Sequence, residues 1–182
     1  MIIEPKSISG KELTWTLRCP TIQDAVQLSD LRVKIDGETE NLDREPGEHF
    51  LSAEDFEQII ADDSKAERSL FLVAEVDGKI VGFARCAGNE LKRFKHKADF
   101  GICISKEYWG HGIGRLMLES ILIWADSTGI EKIALSVVET NEKAIKLYKS
   151  FGFIEEGRLI KDRMHQDGNF YNTVIMSRLK TK

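Results

Sequence analysis

Cysteine is scarce. Cys19, Cys86 and Cys103 are the three in 182 residues, an odd number set far apart. That argues against a disulfide framework. Cys86 and Cys103 fall in apolar, strand-like runs and read as small core residues rather than ligands or nucleophiles. Long apolar runs are missing, so no segment reads as a transmembrane helix. The opening MIIEPKSISGKEL lacks the basic-then-apolar form of a secretory signal. The expectation is a reducing cytoplasm and no membrane partner. Positive charge is in deficit: 26 Lys and Arg stand against 30 Asp and Glu, a formal net charge of −4. This argues against nucleic-acid binding. His49, His96 and His165 form no ligand spacing with one another, so no metal is expected. Internal repeats, low-complexity tracts and linkers are absent as well.

What is present is ordinary in bulk and uneven in detail. Apolar content of 42% and charged content of 31% suit a globular chain. A chain of this size reads as one domain, spanning 1–182, able to bury about 70% of its unfolded surface. Between Asp36 and Asp63 there are eleven acids and one base, Arg44. The basic run LKRFKHK, ending at Lys97, reads as a solvated loop between strands.

Leu13, Trp15 and Leu17 alternate as a first strand. Thr21 with Asp24 caps a helix whose stripe is Ile22, Ala25, Leu28 and Leu31. A long acidic loop from Asp36 to Phe50 follows, and Ser52 with Asp55 caps a second helix. Two apolar runs, Leu70 to Val76 and Lys79 to Cys86, meet at Asp77-Gly78, a hairpin signal. Ile133, Leu135 and Val137 form a later strand. Asn141 opens a helix closed by Gly152, and a last antiparallel pair turns at Asp167-Gly168. The order β-α-α-β-β-β-α-β-α-β-β predicts an α/β (mixed α+β) fold: a central mixed, mostly antiparallel twisted sheet with helices on both faces.

One stretch organises the rest: DFGICISKEYWGHGIGRLMLESILIWA, from Asp99 to Ala125. Phe100, Ile102 and Ile104 have strand spacing. Ile113, Leu116, Met117, Ile121, Trp124 and Ala125 give a helix one apolar face. Between them lie Gly110, Gly112 and Gly114. Glycines at alternate positions ahead of a helix let backbone N–H groups approach a phosphate, and the helix N-terminus adds roughly half a positive charge. A dinucleotide fingerprint would need glycine where Arg115 stands, and no Gly-Lys-Ser/Thr ending makes a P-loop.

The loop resembles the acyl-CoA loop of the GNAT acetyltransferase superfamily, Arg/Gln-x-x-Gly-x-Gly/Ala, with Trp109 where the family usually has Arg or Gln. NEKAIKLYKSFGF resembles the family's second signature at Asn141, Ala144, Leu147, Tyr148, Gly152 and Phe153. The resemblance covers Leu13 to Leu179 and is weakest between Leu31 and Arg68. It implies a GNAT-type fold and acetyl-CoA-dependent N-acetyl transfer by direct attack in a ternary complex.

The resemblance also implies site residues. For acetyl-CoA these are Ile102, Cys103 and Ile104 on the strand, where a backbone N–H freed by splaying strands polarises the thioester. They continue with Trp109, Gly110, His111, Gly112, Ile113, Gly114 and Arg115 in the loop, then Asn141, Lys143 and Tyr148. Tyr148 would protonate the leaving thiolate; its ring could equally serve as helix-face packing. Asn141 suits pantetheine contact and a helix N-cap alike. An alkylammonium titrates near 10.4, so about 4 kcal/mol must be supplied to present it neutral at pH 7. Asp99 and Glu139, at strand ends, are the candidate bases. The acidic loop, with Glu38 and Glu40, is expected to meet a cationic acceptor. Three readings stand: acetylation of a small cationic amine, acetylation of a protein N-terminus as in the ribosomal-protein N-acetyltransferases, and a non-catalytic acyl-CoA sensor. Homodimers are common in the family.

Overall fold

Alternation places the first strands. In the computed structural model, which describes residues 3–10 and 12–180, Trp15 and Leu17 are buried and Thr14 is exposed. They lie on β2 (Thr14–Arg18), which pairs antiparallel with a short edge strand β1 (Lys6–Ser9). The sequence reading did not foresee β1, which carries mostly polar residues and sets only Ile8 opposite Trp15.

The remaining elements are α1 (Ala25–Glu38), α2 (Ala53–Lys65), β3 (Leu70–Val76), β4 (Lys79–Gly88), β5 (Lys97–Ile104), α3 (Ile113–Ser127), β6 (Lys132–Val138), α4 (Glu142–Ser150), β7 (Ile154–Met164) and β8 (Phe170–Leu179). The eight strands form one sheet in the order β1-β2-β3-β4-β5-β6-β8-β7. Every join is antiparallel except β5 with β6, which run parallel. This is the mixed, mostly antiparallel sheet that the element order predicts.

Helices cover both faces. Phe56 and Ile60 of α2 and Leu28, Leu31 and Ile35 of α1 pack with Phe71, Val73, Ile80 and Cys103. On the other face Ile113, Met117, Ile121 and Trp124 of α3 join Leu72, Ala84, Phe100, Leu135 and Tyr148. Each such Leu or Ile, taken fully from water, contributes about 1.5–3 kcal/mol.

Both helix-start signals form as capping boxes, at Thr21 with Asp24 and at Ser52 with Asp55. Ile22 departs from expectation and is 56% exposed. Residues Ile22–Asp24 wind as a 3-10 turn, whose three-residue period takes Ile22 off the stripe. α1 also runs on through Gly37 to Glu38, where the sequence suggested loop from Asp36. Asp77 and Gly78 both take positive φ, the two-residue turn the dipeptide favours.

Candidate active site

β5 and β6 form a fork. Their ladder holds three pairs, ending at Asp99 with Ala134, after which the strands part. β5 stays joined to β4 along its whole length, to Gly82 with Ile104. The Ser105 N–H donates to the Val81 carbonyl at 2.9 Å. Bonding direction alternates along an antiparallel strand, so the N–H and C=O of Ile104 and Ile102 turn to the open β6 side. The Ile104 carbonyl is taken there by the Trp109 indole N–H at 2.7 Å. The Ile102 N–H faces the gap.

The glycine loop stands over this gap. Gly110 and Gly112 have φ of 87° and 80°, and Gly112 is the N-cap of α3. An L side chain resists that backbone region. It leaves the N–H groups of the first turn of α3 without helical partners. Gly114 lies so close to β5 that an added Cβ would come within 3.1 Å of Ile104 Cδ1. A loop without side chains at Gly110, Gly112 and Gly114, set at a helix N-terminus, has the chemistry of an anion cradle. A cleft of about 1570 Å³ joins this cradle to the fork, ample for a ligand larger than the usual ~300–1,000 Å³ pocket holds.

α4 forms the other wall. Asn141 Oδ1 accepts the Ala144 N–H at 3.2 Å, so its side chain is the helix N-cap, and the residue also lines the cleft. Lys143 is exposed on the cleft, and the Arg115 guanidinium lies 4.9 Å from the Phe151 ring centre, bridging α3 to the end of α4. Tyr148 is buried, set edge-on to Phe100 at 6.3 Å and against Phe153 at 5.7 Å. Burial pushes its phenol up to about 12. Among the described residues nothing hydrogen-bonds its hydroxyl, and the residue lines the cleft. His111 is exposed and does not line it.

The opposite face of the fork carries charge. Asp99, exposed at the point of divergence, lines the cleft with Cys103 and Arg32. Burial pushes the Cys103 thiol up to about 11, and Arg32 Nη1 lies 3.1 Å from its sulfur. A neutral, buried thiol fits the core role read for it.

Three other candidates are engaged by neighbouring groups. Glu139 accepts the Asn172 N–H at 2.9 Å and its Nδ2 at 3.1 Å, tying β6 to β8, and does not line the cleft. Glu38 accepts the Lys106 N–H at 2.7 Å and the Ser105 hydroxyl at 3.1 Å, anchoring the end of α1 to the turn before the glycine loop. Glu40 accepts the Gln166 N–H at 2.6 Å, joining the segment after α1 to the β7–β8 hairpin. The sequence reading passed over Arg32 and Asp36, which α1 turns toward β5. Their i, i+4 spacing on that helix was the available signal.

Several known proteins are similar to this chain. A family model described as the acetyltransferase (GNAT) family matches residues 37–153. An L-amino acid N-acetyltransferase of Escherichia coli (strain K12) is 32% identical over 110 residues, 60% of this chain and 67% of that protein. A spermidine N(1)-acetyltransferase of the same strain is 31% identical over 137 residues, 72% of this chain and 68% of that one. The crystal structure of a GNAT-family acetyltransferase from Streptococcus pneumoniae matches with a TM-score of 0.87 at 28% identity, over 91% of this chain and 99% of that one. With the family model matching residues 37–153, a span that includes the fork and the glycine loop, this chain belongs to the GNAT acetyltransferase family and is an acyltransferase enzyme.

Proposed function

We propose that the enzyme moves an acetyl group from acetyl-CoA to the amine of a small cationic acceptor, by direct attack with both substrates bound. One observation carries this reading. A single cleft runs from the glycine cradle at Gly110–Arg115, through the fork, to the face that carries Asp99 and Arg32.

Acetyl-CoA, when bound, supplies the acyl thioester. The N–H groups from Gly110 to Arg115 hold its diphosphate, with Arg115 and Lys143 adding positive charge. Asn141 and α4 bound the channel for the pantetheine arm. The Ile102 N–H is placed to polarise a carbonyl in the gap, as a preorganised donor. Tyr148 keeps its proton at neutral pH and serves as the acid. Asp99 takes the proton of the incoming ammonium, directly or through a water, against the roughly 4 kcal/mol that neutralising an alkylammonium costs at pH 7.

A small acceptor is favoured over a peptide N-terminus by what bounds the far end. Arg163 Nη2 meets Asp43 Oδ1 at 2.7 Å, and Glu40 takes the Gln166 N–H. These bonds draw the segment after α1 and the β7–β8 hairpin together, where a peptide would need an open groove. Three cysteines, odd in number and far apart in sequence, fit work in a reducing cytoplasm. No helix of the described residues is long and apolar enough to cross a membrane.

The test is thiol release from acetyl-CoA across amines, amino acids and short peptides, with wild type and Asp99→Asn. Turnover with small amines and a loss of about 10²-fold or more in the variant, greatest at low pH, supports the assignment. A wild-type pH profile in Asp99→Asn removes that residue from the mechanism. Release with peptides alone overturns the small-acceptor reading.

A further inference from the structure

A second cavity, about 560 Å³, lies beside the cleft between the end of α1 and the β7–β8 hairpin. Thr39, Leu42, Asp43 and Ser136 line both spaces, so the two are continuous. Among the described residues, two buried polar atoms in its wall have no hydrogen-bond partner: Asp36 Oδ1 and His165 Nε2. Their side chains are 3% and 10% exposed.

The rest of each residue is engaged. Asp36 Oδ2 lies 3.0 Å from Arg32 Nε, an ion pair in which the N–H direction misses the oxygen. His165 stacks on Tyr171 at 4.3 Å between ring centres, and its Nδ1 is 3.8 Å from Glu40. With the proton on Nδ1 toward that carboxylate, Nε2 presents a lone pair. Both orphaned atoms then ask for a hydrogen-bond donor.

The charge of the cavity says which donor. Asp36, Glu40, Asp43, Glu45, Glu48 and Asp162 line it against Arg44 and Arg163. Arg163 is already held by Asp43 and by Thr173 Oγ1, and Arg44 donates to the His49 carbonyl. The balance favours a cation and disfavours an acceptor carrying its own carboxylate.

We infer that this cavity binds a second ammonium of the acceptor, so that the preferred substrate is a diamine or polyamine, with Asp36 the specificity-determining residue. The inference rests on the transfer reading above for the first amine and adds the site for the next. An ammonium offers three N–H donors. Hydrogen bonds to a buried carboxylate are among the stronger ones.

The experiment compares matched series of n-alkylamines and α,ω-diaminoalkanes. It reads thiol release from acetyl-CoA, and calorimetry with the enzyme saturated with CoA. At the best chain length the diamine should exceed its monoamine about tenfold or more in kcat/KM, chiefly through KM. That ratio should fall toward one in Asp36→Asn and partway in His165→Gln. A ratio near one at every length in wild type overturns the inference, as does a ratio kept in both variants. Should Asp36→Asn fail to fold, the wild-type series and His165→Gln decide it. Release with monoamines and no diamine preference sinks the second site while leaving the transfer reading intact. Tighter diamine than monoamine binding, lost in Asp36→Asn, without release from any amine, does the reverse.

Discussion

The indole N–H of Trp109 is bonded to the Ile104 carbonyl at 2.7 Å, which fastens the glycine loop to the free end of β5. Trp109 holds the position where the family's loop usually has Arg or Gln, and its bond goes to backbone. Trp109→Phe keeps the ring and removes the bond, worth about 0.5–1.5 kcal/mol net. The KM for acetyl-CoA should rise about three- to tenfold, with the amine KM little changed. Steady-state thiol release measures both. An unaltered acetyl-CoA KM would mean the loop holds its shape without the indole.

Gly112 sets the direction in which α3 begins. At φ 80° with no atom within 4 Å of an added Cβ, alanine meets backbone strain alone. That costs about 1–2 kcal/mol. If the loop relaxes instead, the first-turn N–H groups swing away from the cleft. Gly112→Ala should weaken CoA binding by about tenfold or more, read by calorimetry, and lower the Tm by a few degrees. Gly114→Ala should do less, because its Cβ would meet the movable end of the Ile104 side chain.

Glu38 is a fastening for the turn ahead of the glycine loop. Glu38→Ala removes the acceptor for the Lys106 N–H and the Ser105 hydroxyl. A lost cap of this kind costs about 1 kcal/mol, or roughly 2–4 °C in a chain of this size. The acetyl-CoA KM should rise with it, and the amine KM should move less than about twofold. A rise confined to the amine KM would return Glu38 to the acceptor side.

What could be read in advance was local. Gly110, Gly112 and Asn141 declare themselves because backbone sign and helix capping are decided within a few residues. The element order from β2 onward follows from hydrophobic period, and with it the sheet apart from β1, whose polar residues carry no such period. Glu38 and Glu40 were legible as charge and illegible as partners. Lys106 lies 68 residues from Glu38, and Gln166 lies 126 from Glu40. The orphaned oxygen of Asp36 has the same origin. Its flanking residues are Ile35 and Gly37, and its burial comes from packing that local sequence does not show. Glu139 and Asp99 look alike as strand-end acids. The fork separates them, because Asp99 sits where β6 departs and Glu139 where β8 arrives.

Tyr148, buried in the wall of the cleft, gives a prediction in pH. Burial disfavours the phenolate, so the phenol is held up to about 12. An exposed tyrosine would lose its proton near 10. The wild-type kcat should therefore show no alkaline fall from this group up to about pH 10 or above, since the donor is still protonated there. Tyr148→Phe removes the hydroxyl and leaves the ring against Phe100 and Phe153. The kcat should drop about 10²-fold, with CoA binding within about twofold of wild type, because the lost contact is made only as thiolate charge develops. A kcat that falls near pH 10 in wild type and is flat in the variant would show a phenol titrating as if exposed. An undiminished kcat in Tyr148→Phe would return this side chain to packing alone, and the proton for the thiolate would then have to come from water in the fork.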